Sequence, residues 1–388
     1  MRLDLCVSIC LYILLTGCMS PRAGLVQEAV DEVCLREVPD RRTGICTVSA
    51  EPLRGREILL RGDVLSGDLK EKLLAAARQV HRGVIDSVLL LPEPSVGDEH
   101  YGLVTVSVAN LKAEPGHDAE MVSQALMGTP LRILRKRPGW FQVQTPDRYL
   151  SWVTTSSVQP VTSAQLERWR QSPRLLVFSH YGVVYSDTSR QQRISDLTMG
   201  CLVGGKGGEG PWCRVLLPDG RSGWADQGIF VDFEDWKAQA AATPENLLAT
   251  AREFPGIPYM WGGTSPKALD CSGFTKMVWF LNGIILERDA SQQYKYGEVV
   301  DAGPEQQNLR PGDLLFFGRK EPLRVIHVGI YSGNREVIHS SGQVAVNSMD
   351  AREPHFSSYL SGTYLGARRV TQLESCQGYM PVREHPWY

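Results

Sequence analysis

A repeat constrains this chain more than any other feature. Shifting the sequence by 72 residues brings Met127-Gly128 onto Met199-Gly200, Trp140 onto Trp212, Pro146-Asp147 onto Pro218-Asp219, and Trp152 onto Trp224. Between these landmarks run short alternating apolar stretches, at 131–134, 140–143 and 150–153, separated by Gly, Pro and Asp turns. Such runs read as a small β-barrel. Two copies are therefore expected, at 101–160 and 176–235, joined across 161–175 by a short helix at 164–171. A chain of 388 residues has room for both and for further domains beside them. The copies differ at two positions, where Glu114 falls on Ser186 and Tyr149 on Arg221. Either the first copy has a role the second lacks, or its surface has drifted.

The N-terminus reads as an export signal. Residues 5–15 are nearly all apolar with Arg2 ahead of them, a run too short to span a membrane. It ends in Leu15-Thr16-Gly17-Cys18, which resembles a bacterial lipobox. Residues 1–17 are then a signal peptide, Cys18 is the lipidated first residue, and 18–27 form a tether, flexible across 20–24. The protein is expected to be an exported lipoprotein, membrane-anchored on the periplasmic or cell-surface side. A plain secretory signal or a buried N-terminal helix is the alternative. Lys+Arg number 41 against 43 Asp+Glu, so no basic excess points to nucleic acid. Nine cysteines fit an oxidising compartment: Cys34 and Cys46 are twelve apart, as are Cys201 and Cys213, and either pair could close a disulfide. For the second pair, two buried thiols are the alternative. Cys271 and Cys376 are left over. The stretch 28–100 reads as a small α/β module, with leucines and alanines at helical spacing over 68–80 and a β-rich run over 84–91.

The C-terminal part, 236–388, carries the chemistry. Pro258-Tyr-Met-Trp-Gly-Gly-Thr264 is followed by Asp270-Cys-Ser-Gly-Phe274, and 271–281 looks helical, stopping at Asn282-Gly283. Cys271 then sits in a first helical turn, where free N–H groups and the helix dipole favour a thiolate. Leu309-Arg-Pro-Gly-Asp-Leu-Leu-Phe-Phe317 is a turn entering a strand. His327 and His339 lie in apolar, strand-like runs that a Ser332-Gly333-Asn334 turn would join as neighbours. A thiol nucleophile needs a base, and the base needs an orienting group; Cys271, His327 and His339 supply all three. No HExxH and no paired CxxC occurs, so no metal or cofactor is expected.

Together Asp-Cys-Ser-Gly-Phe, Pro-Gly-Asp-Leu, His-Val-Gly-Ile-Tyr and Val-Ile-His-Ser resemble the NlpC/p60 superfamily of papain-like cell-wall cysteine peptidases, over roughly 243–370. The repeated units resemble bacterial SH3-like domains. The whole is similar to the YkfC-type γ-D-glutamyl-L-diamino acid endopeptidases. The resemblance implies an α+β fold: a papain-like catalytic domain after two SH3-like barrels and the α/β module. It implies Cys271 as nucleophile, His327 as base and then acid, His339 as its orienting partner, and Tyr259 as an oxyanion donor with the Cys271 amide. It implies hydrolysis of the γ-D-Glu–diamino acid bond (meso-diaminopimelate or L-Lys) in free murein peptides bearing an L-Ala amine. Glu114 and Asp270 would meet that ammonium, Tyr149 would close its pocket, and Ser272 and Ser291 would hold the γ-D-Glu carboxylate. Asp270 and Ser272 could instead be helix caps, and Ser291 a turn former. Three other readings remain: a hydrolase of intact murein with wall-binding barrels, a non-catalytic peptide-binding lipoprotein, and an acyltransferase. The Cys-before-His order disfavours the last.

Overall fold

In the computed structural model, which describes residues 21–208, 210–303, 306–370 and 378–388, the chain divides into one unit ending at Leu91 and another beginning at Pro92. The first unit runs α1 (Pro21–Glu37), β1 (Cys46–Pro52), β2 (Ile58–Val64), α2 (Gly67–Val80), β3 (Val84–Leu90). β2 pairs antiparallel with β1 and parallel with β3, the parallel step being made through α2. Ser66 caps α2 by accepting the Leu69 amide at 3.2 Å, and Leu69, Leu73, Leu74 and Ala77 form its buried face. In α1, Ala23, Val26, Val30 and Val33 recur at helical spacing and pack in the same core as Val48, Leu60 and Val64. This corrects the expected tether: residues 21–27 belong to a helix because they carry the first half of that apolar stripe. Cys34 and Cys46 form a disulfide between the end of α1 and the start of β1. The signal-like run, Cys18 and Cys376 lie outside the described residues.

The second unit opens with the two barrels. The first consists of β4 (Tyr101–Val104), β5 (Val108–Lys112), β6 (Met121–Leu126), β7 (Pro130–Arg137), β8 (Trp140–Gln144), β9 (Leu150–Thr154) and β10 (Val158–Val161). Helix α3 (Ser163–Gln171) leads to β11 (Arg174–Val177), β12 (Gly182–Tyr185), β13 (Arg193–Leu197), β14 (Leu202–Gly205), β15 (Trp212–Leu216), β16 (Ser222–Asp226) and β17 (Phe230–Asp232). Strand orders β10-β4-β7-β8-β9-β5-β6 and β17-β11-β14-β15-β16-β12-β13 are the same order twice. Trp140 pairs with Thr154 as Trp212 pairs with Asp226, a shift of 72. Lys112 opposite Trp152 matches Tyr185 opposite Trp224, a shift of 73. The loop 113–120 is therefore one residue longer than 186–192, and the structural counterpart of Glu114 is Asp187, not Ser186. The contrast between the copies survives the correction. Asp187 is spent on its own turn, accepting the Ser189 amide at 2.8 Å, whereas Glu114 is exposed with no side-chain partner among the described residues.

The remainder is α4 (Phe233–Gln239), α5 (Pro244–Ala251), β18 (Thr264–Ser265), β19 (Ala268–Leu269), α6 (Cys271–Leu281), β20 (Ile284–Leu286), α7 (Ala290–Gln293), β21 (Glu298–Val300), β22 (Leu314–Arg319), β23 (Arg324–Gly333), β24 (Glu336–Ser341), β25 (Gln343–Ser348), α8 (Ser358–Thr363), β26 (Tyr364–Arg369) and β27 (Tyr379–Pro381). An antiparallel sheet ordered β21-β26-β22-β23-β24-β25 takes α6 against β23 and β24. Phe274, Met277 and Val278 of α6 share one buried cluster with Phe316, Val328, Ile338 and, from the second barrel, Leu175, Val177 and Val203. That barrel is thus built into the core of the α/β part. Cys201 and Cys213 are free and buried within it, so the alternative of two thiols holds there. Burial pushes the Cys201 thiol up to about 12.

Candidate active site

Asp270 sets the start of α6 by accepting the Gly273 amide at 2.7 Å, which places Cys271 at the first helical position. Gly273 is required there by close approach: a Cβ would lie 1.9 Å from the Gly263 carbonyl oxygen. The helix start alone would favour a thiolate, and the surroundings act in the opposite direction. Burial first, and the Asp270 charge second, push the Cys271 thiol up to about 12, against opposing amides of Val328 and Ser272. The desolvation of a sulfur anion in this enclosed position outweighs the dipole of a single helix end.

His327 on β23 and His339 on the adjacent β24 are joined by a 2.8 Å hydrogen bond between Nε2 and Nδ1. Gly329 makes room for this pair, because a Cβ there would stand 3.0 Å from that of His339. Burial, then the neighbouring His339, lowers His327 to about 3, and burial lowers His339 as well. At neutral pH the resting set is a neutral thiol with two neutral imidazoles. The Val328 amide that reaches the Cys271 sulfur follows His327 directly along β23. Tyr259 is raised to about 12 by burial, then by the charges of Cys271 and Asp270, so its hydroxyl keeps its proton and can donate.

Beside the thiol, Asp270 is already fully engaged. Arg288, 1% exposed, reaches its two oxygens at 3.1 and 2.5 Å, and the Gly262 amide adds a 3.0 Å bond. Ser272 accepts from Arg288 at 3.0 Å and donates to Asp270 at 3.3 Å. Burial by itself would lower the Arg288 pKa; the Asp270 carboxylate outweighs it, and the guanidinium stays charged. Asp270 is therefore an N-cap in a buried ion pair, with its negative charge matched inside the protein. Ser291 lies half-buried in α7.

The first barrel forms a wall of this site. Its Ser123 accepts from Arg288 Nε at 3.1 Å. Gln124 exchanges bonds with Thr264, through its own amide at 2.7 Å and its Oε1 at 3.0 Å. The loop that carries Glu114 ends at Glu120, which accepts from the Trp261 indole at 2.7 Å. The β8–β9 turn docks through Asp147 on Lys276, Arg148 on Glu287 at 3.1 Å, and Tyr149, whose hydroxyl donates to Asp289 at 3.3 Å. The structure thus brings Cys271, His327, His339, Tyr259, Asp270 and Ser272 together and sets Tyr149 against α7. Glu114 stands exposed on the loop clamped beside them.

A family model described as the NlpC/P60 family matches residues 256–369, and one described as the bacterial dipeptidyl-peptidase Sh3 domain matches 111–158. Dipeptidyl-peptidase 6 of Lysinibacillus sphaericus is 30% identical over 275 residues, covering 67% of this chain and 96% of that protein. The chain belongs to the NlpC/P60 family. It is a cysteine peptidase of that family. A gamma-D-glutamyl-L-lysine dipeptidyl-peptidase of Bacillus cereus is 27% identical, over 64% of this chain and 75% of that one. A solved NlpC/P60 family structure from Bacillus cereus shares the fold, with a TM-score of 0.61 at 23% identity, over 70% of this chain and 100% of that one. Glu114, Ser123, Gln124, Asp147 and Tyr149, the residues of the barrel wall, all fall inside the Sh3 segment.

Three neighbours of the NlpC/P60 site were missed by sequence reasoning. Arg288 lies three residues before Ser291, in Arg288-Asp-Ala-Ser-Gln292, and was given no role; its signal was a cation two residues after the apolar run Ile284-Ile285-Leu286. Tyr359, on α8, sets its ring edge-on to His327 with centroids 6.1 Å apart, and 44% of it is exposed. Asn347, on β25, meets His339 at 3.0 Å. Nothing in the local pattern of either marks it, because each reaches the site through a strand or helix that closes on it only in the folded sheet.

Proposed function

We propose that the chain hydrolyses the γ-D-glutamyl–diamino acid bond of short murein peptides with a free L-Ala amine, releasing L-Ala-D-Glu, in recycling of wall fragments. The observation that carries this is the barrel wall. Ser123 bonds Arg288, and Arg288 bonds Asp270 next to the thiol, so the first barrel is tied directly to the residue beside the nucleophile. A barrel standing against the nucleophile favours a short amine-terminal fragment over a continuous glycan-linked strand. The two relatives named as dipeptidyl-peptidases support the same reading.

In the proposed reaction, His327 takes the Cys271 proton as the sulfur attacks the γ-carbonyl carbon. The oxyanion is met by the Tyr259 hydroxyl and the Cys271 amide, a first-turn N–H with no intrahelical acceptor. The C–N bond then breaks, His327 returns the proton to the departing α-amine, and water hydrolyses the thioester. His339 holds His327 throughout. Because Arg288 already matches Asp270, the ammonium is met by Glu114 across the pocket, with Tyr149 as its side wall. Ser272 and Ser291 serve the γ-D-Glu carboxylate, where Arg288 adds positive charge. Cys18 is proposed as a lipid anchor that holds the enzyme at a membrane surface on the exported side.

The test is L-Ala-γ-D-Glu-meso-diaminopimelate alongside its N-acetylated form, read by mass spectrometry. Cleavage of the free peptide alone, lost in Cys271→Ala and weakened in Glu114→Ala, is the expected result. Equal cleavage of both would move the reading to a hydrolase of intact wall. For the anchor, Cys18→Ser should release the protein from the membrane fraction; retention there would refute lipidation at Cys18.

A further inference from the structure

The histidine pair ends in a third polar side chain. His339 Nε2 lies 3.0 Å from Asn347 Oδ1, and Asn347 Nδ2 donates to the His355 carbonyl oxygen at 3.1 Å. A backbone carbonyl has no proton to give, so the amide group of Asn347 can face it only with its NH2. The other end of the amide, its oxygen, is thereby turned to His339. An amide oxygen accepts and does not donate, so His339 Nε2 must carry the proton. His339 is neutral, so its Nδ1 is left with a lone pair, and His327 Nε2, 2.8 Å away, must be the donor to it. In neutral His327 that leaves Nδ1 as the free base. Starting from one carbonyl, every proton on the relay is assigned.

We infer that Asn347 is a positioning residue that fixes the tautomers of both histidines and so keeps His327 Nδ1 unprotonated for the Cys271 thiol. The inference rests on the reading of Cys271, His327 and His339 as the reacting set. β25 supplies Asn347 because it is the strand next to β24, where Val337 opposes Asn347 and His339 opposes Ala345. On the far side, the same amide holds the segment that follows β25, which the Ser348 amide also ties to the His355 carbonyl at 3.0 Å. Without the Asn347 oxygen, His339 is free to move its proton to Nδ1. Two N–H groups would then face each other across the pair. His327 would relieve that only by taking its own proton to Nδ1, where it ceases to be a base.

The experiment uses the full chain with 15N-labelled histidine, together with Asn347→Leu and Asn347→Asp. Ring 15N shifts read the tautomers in the resting protein, and peptide mapping reads the iodoacetamide alkylation rate of Cys271. Neither readout needs the substrate to be known, so a failure of the murein-peptide assignment is separable from a failure of this one. The expected result is an Nε2–H tautomer at both histidines in the parent. Asn347→Leu should show mixed tautomers, with alkylation reduced about 10–100-fold, the range for loss of the outer hydrogen-bond partner of a metal-bound histidine. Asn347→Asp keeps an acceptor for His339 but cannot donate to His355, so it separates the two jobs of the side chain. It should hold the parent tautomers and exceed the Leu variant at least about tenfold in alkylation rate, since a wrong tautomer is the larger loss. An Nδ1–H tautomer at His339 in the parent would overturn the inference. So would an Asp variant that falls as far as the Leu variant, which would leave Asn347 only a loop anchor.

Discussion

Arg288→Met is the most searching test of how this site is held together. The guanidinium makes four hydrogen bonds, to Ser123, Ser272 and both oxygens of Asp270, from a position that is 1% exposed. Methionine fills most of the volume and makes none of them. Asp270 keeps the Gly262 and Gly273 amides but loses its counter-charge in a buried position. Removing one partner of a buried pair costs about 3–5 kcal/mol, chiefly because the other charge stays behind unpaired. Restoring neutrality with Asp270→Asn on top of it should recover about 2 kcal/mol of that loss, since Asn still offers the Gly273 amide an acceptor. Urea unfolding followed by tryptophan fluorescence suits the purpose: all nine tryptophans lie beyond residue 91, so the signal reports the larger unit alone. With a urea slope of roughly 3 kcal/mol per molar, the single variant should unfold about 1–2 M earlier. A midpoint unchanged in Arg288→Met would refute the reasoning. So would a double variant whose loss equals the sum of the two singles to within about 0.5 kcal/mol, because contacting charges must couple.

Acid should destabilise the protein well above the carboxylate range. Burial, the main cause in each case, holds His327 at about 3 and His385 at about 4, whereas an unfolded histidine titrates near ~6.5. Between those values the unfolded chain binds protons the folded one does not, so stability falls as pH drops below about 6.5, by up to about 1.4 kcal/mol per pH unit for each histidine. Urea midpoints at pH 7 and pH 5 measure it; Asn in place of His385 should flatten the difference, and equal midpoints in the parent would contradict it. Trp261→Phe removes the indole donor to Glu120 and loosens the loop carrying Glu114. The KM for the free-amine peptide should rise about 2–5-fold with kcat nearly constant, as loss of one exposed hydrogen bond implies; a fall in kcat at constant KM would show that Trp261 acts on the chemistry instead. Replacing Cys34 and Cys46 by serine opens a loop of twelve residues' separation, and should cost the first unit about 2–4 kcal/mol. Limited proteolysis should then cut within 21–91 while peptide turnover stays at the parent level; loss of turnover in step with cutting would show that the site depends on that unit.

Local chemistry let the sequence determine much of this protein. The repeat was legible because two barrels of the same strand order need the same tryptophans and turns in the same places. Asp270 as a cap and 271–281 as a helix could be read because a capping side chain and its helix are neighbours in the chain. His327 and His339 could be put on adjacent strands because only a short turn separates their runs; it was expected at 332–334 and the structure places it at Asn334-Arg335. The alignment of Glu114 failed by one residue because loop length is not constrained by packing, and the register of the strands had to count it. The tertiary structure alone decided what each charge means. Asp270 meets a guanidinium 18 residues away, and that guanidinium is steadied by a serine 165 residues earlier. The thiol placed at a helix end is pushed up, not down, by burial and the neighbouring Asp270. Burial and long-range partners govern these properties, and both depend on which segments close over one another, which no pattern along the chain contains.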